Sequence, residues 1–113
     1  MLFTGNRFDK HPGKTVIDIT ATNRSPFAPS FGLLHDIKAG RIDWAEYERR
    51  YVEEARNWYR MNPQLFHDLI DQAHKSDIVL VCYERGNERE VECHRRLLAD
   101  ILRKIAAKHN IVI

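Results

Sequence analysis

Two cysteines among 113 residues are too few for a disulfide framework. The start, Met1-Leu2-Phe3-Thr4-Gly5-Asn6-Arg7, has no apolar h-region, so no signal peptide is expected. Together these place the protein by default in a reducing cytoplasm, where both thiols stay free. No apolar run approaches the roughly 18 residues of a membrane span, so no membrane partner is expected. The net charge is only +2, from 18 basic and 16 acidic residues. Charge alone therefore does not predict nucleic-acid binding, although a local basic patch stays open. Glycine is scarce, with five residues, and neither the phosphate-loop nor the dinucleotide glycine fingerprint occurs. No Cys-x-x-Cys is present, which removes thioredoxin-like redox chemistry. Zinc is disfavoured too, because Cys93 and His94 are neighbours and helical neighbours point about 100° apart. Where a phosphotyrosine-phosphatase loop needs an Arg, Cys82 is followed by Glu88 and Cys93 by Ala99. No repeat, low-complexity tract or linker divides the chain. Nothing in these patterns calls for a cofactor or a metal.

What remains is a globular balance of 43% apolar and 30% charged residues, expected to form one domain over residues 1–113. Leu2-Phe3-Thr4 reads as a short first strand and Lys10-His11-Pro12-Gly13-Lys14 as a turn. Thr15–Thr20 is β-branched and reads as a buried strand. Ala21–Ser30 carries Pro26 and Pro29 and must be a loop. Ser30 caps a short helix, Phe31–Lys38, that Gly40 ends. Asp43 caps a long amphipathic helix with Trp44, Tyr47, Tyr51, Ala55, Trp58 and Tyr59 on its apolar side. Asn62 as cap and Pro63 at the first position begin another helix. Asp77–Tyr83 is a near-continuous apolar run, as in strands covered on both faces. Glu84–Val91 is a charged loop, Cys93–Lys108 a helix, and Ile111–Ile113 a terminal strand. This order predicts an α/β fold, a small single-domain three-layer sandwich with a short, mainly parallel sheet. Ligands of such sheets bind beyond the carboxyl ends of the strands.

Two loops leave those ends, and both carry chemistry. Cys82 and Glu84 close the central strand, while Cys93, His94 and Arg95 open the last helix. A thiol at a helix start beside guanidinium groups favours its thiolate, which makes Cys93 a candidate nucleophile. The same helix start with Arg95 suits an anion. Glu84 and His94 are candidate proton carriers. Each has an ordinary alternative: Cys82 as a small buried hydrophobe, His94 bonded to a loop carbonyl, Glu84 in a surface pair. A second set, Asp18, Thr20, Thr22, Asn23, Arg24 and Ser25, follows the second strand. It reads either as a ligand loop or as common turn residues. Asp18 in an apolar strand needs a partner, for which Arg24 and Arg95 are candidates. The aromatic stripe with Arg49, Arg50, Arg56 and Arg60 offers base stacking, or simply core.

At Val81-Cys82-Tyr83-Glu84 and Cys93-His94-Arg95-Arg96-Leu97-Leu98-Ala99 the chain resembles the domain of unknown function 488 family, with bacterial, archaeal and phage members. Val16-Ile17-Asp18-Ile19-Thr20, Phe27-Ala28-Pro29-Ser30 and Lys38-Ala39-Gly40-Arg41-Ile42 follow the same order. The likeness spans about residues 15 to 108 and implies the α/β fold and the Cys-His-Arg site, without a particular reaction. The loop between Glu84 and Cys93 is longer and more charged than in many members. The site set expected is Cys93, His94 and Glu84 for catalysis, with Arg95, Asp18, Arg24, Thr20 and Cys82 contacting the ligand. The favoured reading is a small enzyme with an anion pocket for a nucleotide, nucleic acid or phosphorylated metabolite. The alternative is a non-catalytic binding module, accessory to nucleic-acid enzymes or phage–host modulation.

Overall fold

The computed structural model describes residues 1–6, 8–20, 25–82 and 94–113. Three strands and four helices follow in the order β1 (Leu2–Asn6), β2 (Thr15–Asp18), α1 (Phe31–Lys38), α2 (Trp44–Met61), α3 (Pro63–Lys75), β3 (Ile78–Cys82) and α4 (His94–Lys108). The strands form one parallel sheet in the order β1-β3-β2. This is the small α/β fold expected from the alternation of strand and helix.

The central strand is the most apolar. All five residues of β3 are buried, as its unbroken Ile-Val-Leu-Val-Cys run requires. Alternation sends Ile78, Leu80 and Cys82 into the main core, with Leu98 and Leu102 of α4 and Phe66, Leu69 and Ile70 of α3. Val79 and Val81 are buried on the opposite face. There the His11 ring lies against Gly5 and Val79.

Local signals set the helix starts. Ser30 Oγ accepts from the Leu33 N–H at 3.2 Å, and Asp43 Oδ1 accepts from the Glu46 N–H at 2.9 Å. Gly40, at φ +73°, turns the chain out of α1 with its N–H on the Ile37 carbonyl. Asn62 stands at the N-cap of α3, but its side chain makes no cap hydrogen bond; Pro63 alone marks that start.

Three expectations are corrected. β2 is an edge strand and is only half-buried, with Val16 50% exposed. β1 runs two residues beyond Thr4, because its pairing with β3 continues to Asn6. Ile111–Ile113 is not a strand. The Ile111 N–H turns back to Ala106, and the segment offers the sheet one long bond, from the Leu2 N–H to the Ile113 carbonyl at 3.4 Å.

Candidate functional site

The parallel register brings three strand ends level. Asn6 lies opposite Cys82, Asp18 opposite Val81, and the Ile19 N–H donates to the Val81 carbonyl at 2.9 Å. The carboxyl edge is therefore lined by Asn6, Cys82 and Asp18, each from a different part of the sequence. Asp18 and Thr20 act on each other here. Asp18 Oδ1 accepts from the Thr20 N–H at 2.9 Å and also from the Thr20 hydroxyl. This closed turn buries Thr20 and ends β2 sharply.

The start of α4 fits beneath this edge. His94 is 8% exposed, and its Nε2 lies 2.7 Å from the Ile19 carbonyl. A carbonyl only accepts, so Nε2 carries the proton and Nδ1 keeps its lone pair. Burial holds the His94 pKa below the ordinary histidine value; the Ile19 bond opposes this, and the Arg95 charge adds to it. His94 is accordingly a neutral imidazole at neutral pH. The sequence left open a loop-carbonyl role or a proton-carrying one, and the geometry provides the first while leaving Nδ1 basic.

Arg95 is 2% exposed, a guanidinium inside the domain. Its Nη1 donates to the Gly5 carbonyl at 2.8 Å and to Cys82 Sγ at 3.4 Å. It thus joins the ends of β1 and β3, rather than meeting Asp18 as one sequence pairing had it. Arg96 faces solvent, so only one of the two adjacent arginines enters the site.

Cys82 is disulfide-bonded, and no described cysteine is free. The expectation that both thiols stay free is overturned. A strand end and a following helix start lie side by side in this fold, and the chain's other cysteine, Cys93, is next to that helix start in sequence. Cys82 is also buried within the core, as its small apolar character predicts. Cys93, Glu84 and Arg24, together with Thr22 and Asn23, lie outside the described residues.

Sequence reasoning missed the β1 side of the edge. Gly5 supplies a carbonyl to Arg95, Asn6 faces Cys82, and His11 Nε2 lies 2.8 Å from the Asn6 carbonyl. The available signal was the length of β1: one more turn of alternation past Thr4 places Asn6 at the sheet end. Tyr51 was read as part of a stripe and proves to border the site. Its hydroxyl donates to the Phe27 carbonyl at 2.7 Å, and its ring lies 5.7 Å from that of His94. Complete burial raises its pKa well above the usual phenol value.

Much of the stripe packs into the core, while Trp58 is only partly buried. Trp44 stacks on Tyr47 at 4.9 Å, and Tyr47, Tyr51 and Ala55 are buried. Arg49 is paired with Glu46 and Glu53, and Arg50 with Asp36. Among the described residues no group of three His, Cys, Asp or Glu side chains gathers for a metal ion. No described helix is long and apolar enough to cross a membrane.

No curated protein and no solved structure matches the chain. A family model described as "Active DUF488-N3 subclade" matches residues 14–106, from the turn before β2 to the last turns of α4. That span holds β2, β3 and the His94-Arg95 helix start, and with them most of the carboxyl edge. The chain belongs to the DUF488 family.

Proposed function

We propose that this protein is a small enzyme acting on an anionic, phosphorylated substrate at the carboxyl edge of its sheet. One observation carries the reading: the Arg95 guanidinium lies almost wholly inside the domain, under the strand ends, with Nη1 between the Gly5 carbonyl and Cys82 Sγ. A guanidinium keeps its charge at any working pH. Removing it from water costs several kcal/mol, so a fixed cation at a ligand-binding edge is well explained by a need for positive potential there. The start of α4 adds its dipole in the same direction.

The remaining groups fit chemistry on such a ligand. Neutral His94 keeps Nδ1 as a proton acceptor. Asp18, locked by Thr20, and Asn6 add polar atoms at the rim. Cys93, Glu84 and Arg24, assigned from sequence, supply a nucleophile or ligand contact, a second proton carrier and a second cation. Reduced Cys82 faces the Arg95 charge, which favours its thiolate. The description of the matching subclade as active supports catalysis over a purely binding role.

The test is thermal unfolding of the reduced full chain with inorganic phosphate, nucleoside monophosphates and sugar phosphates. A ligand at a hundredfold excess over its Kd stabilises by about 2.7 kcal/mol, on the order of 10 °C for a domain this size. Arg95→Ala abolishes that shift, and Arg95→Lys, which keeps the charge, retains part of it. Equal shifts in wild type and Arg95→Ala, or no shift with any phosphorylated compound, overturn the reading.

A further inference from the structure

A groove of about 340 Å³ opens along α2, lined by Pro26, Ala28, Ser30, Glu54, Asn57 and Trp58. It lies at the lower end of small-molecule site volumes, the size of a ring system and not of a long cofactor. Its walls are chemically selective. The Trp58 indole is held edge-on against Tyr51, at 5.6 Å and 84°. Ala28 and Pro26 are small and apolar. Asn57 is exposed on α2; its Oδ1 accepts from Arg60 Nη1 at 3.3 Å, which leaves the amide NH2 and a second Oδ1 lone pair for a ligand. The one carboxylate is engaged: Glu54 accepts from the Ser30 N–H at 2.9 Å and from the Ser30 hydroxyl at 2.6 Å. Glu54 therefore braces the rim and has little left for a cationic ligand. An aliphatic chain would leave the Asn57 amide unused. A planar nitrogen heterocycle uses both features, stacking on the indole and meeting the amide with its edge.

The groove is joined to the carboxyl-edge site through Tyr51, one ring away from each. Residues 25–30 continue from the loop that leaves β2. Phe27 accepts the Tyr51 hydroxyl at 2.7 Å, and the Tyr51 ring touches Trp58 on one side and His94, at 5.7 Å, on the other. Tyr51 itself is fully buried, so it links the two as packing beneath them: Trp58 of the groove and His94 of the helix start rest on one ring. We infer that the groove is the nucleobase subsite of the same site, so that the phosphorylated substrate is a nucleotide with its base on Trp58 and its phosphate at the strand ends. The phosphate half of this assignment rests on the reading of Arg95 given above; the base half stands on the groove.

The chain has two tryptophans, so Trp44→Phe leaves Trp58 as the reporter. The reduced full-length variant is titrated with adenosine, AMP, ribose 5-phosphate, inorganic phosphate and a short oligoadenylate. Adenosine and AMP quench Trp58, while ribose 5-phosphate and phosphate stabilise the fold without quenching. Asn57→Ala, at an exposed position, weakens AMP binding about tenfold or more. Ala28→Phe fills the groove without adding a tryptophan and abolishes the quench while leaving phosphate stabilisation intact. Quenching by adenosine with no response to phosphate overturns the anion site and leaves the base subsite standing. Phosphate stabilisation with no quench by adenosine, AMP or oligoadenylate overturns the base subsite, as does undiminished AMP affinity in Ala28→Phe. Quenching by oligoadenylate alone identifies a base within a single strand as the occupant.

Discussion

Gly5→Ala probes the least obvious support of the carboxyl edge. A Cβ added at Gly5 would lie 2.5 Å from His11 Cε1, 3.2 Å from His11 Nε2 and 3.2 Å from Val79 Cγ2. The first distance is far inside van der Waals contact, so either the ring or the strand must move. Val79 belongs to the buried central strand and has nowhere to go. The ring can yield only by giving up its contact of 2.8 Å with the Asn6 carbonyl. Overpacking of this kind costs about 1–3 kcal/mol, and the lost hydrogen bond about 0.5–1.5. The strand preference of Ala over Gly returns about 0.5–1 kcal/mol. The net destabilisation is on the order of 2 kcal/mol, or about 8 °C in Tm. Urea denaturation followed by circular dichroism measures it. His11→Ala removes the obstructing ring, so the double variant is more stable than the two single effects predict, by about 1 kcal/mol. A neutral Gly5→Ala, or a cycle additive within about 0.5 kcal/mol, refutes the packing argument.

Three further outcomes are expected. Tyr51→Phe strips the buried Phe27 carbonyl of its donor, lowering stability by about 1–3 kcal/mol in the same urea experiment; an unchanged midpoint would mean that water replaces the hydroxyl. Because the folded state depresses the His94 pKa, the unfolded chain takes up that proton first on acidification. Its contribution is complete above pH 6.5 and is lost as the pH falls below it, with a slope of at most about 1.4 kcal/mol per pH unit. His94→Gln keeps a donor for Ile19 and flattens that part of the stability profile, whereas a profile identical to wild type assigns the slope elsewhere. Cys82 resists iodoacetamide until the protein is reduced; after reduction, mass spectrometry shows it alkylated at neutral pH, and more slowly in Arg95→Gln. Equal rates in the two proteins would detach the Arg95 charge from Cys82.

Much of this fold is legible in short stretches because short-range chemistry decides it. Ser30 and Asp43 cap their helices through a backbone N–H three residues away, so no tertiary knowledge is needed to place them. Asn62 shows the limit: the right residue stands at the right place, yet its side chain makes no cap bond because Pro63 already provides the start. The apolar triplet Ile111–Ile113 looks like a strand, but strand formation depends on a free partner edge, and the turn to Ala106 directs the segment otherwise. The candidate site divides in the same way. The residue types Asp18, Cys82, His94 and Arg95 stand out in the sequence. That Arg95 binds Gly5 and Cys82 rather than Asp18 depends on strand order, because β3 lies between β1 and β2. Gly5 and His11 have no local signature of a site, and Asn6 has only its place at the end of β1.

That strand order also dictates when the sheet can exist. Leu2 and Thr15 both pair with Ile78, and β1 and β2 never pair with each other. During synthesis the first two strands therefore emerge with no ladder available, while α1, α2 and α3 need only local bonds and follow at once. The middle strand arrives last and must insert between two edges that have waited for some sixty residues of chain. Long-range parallel pairing of this kind slows folding and leaves strand edges open to other chains meanwhile. A ribosome stalled before residue 78 would hold a helical nascent chain without a sheet, and one stalled after α4 has cleared the exit tunnel would hold the closed domain.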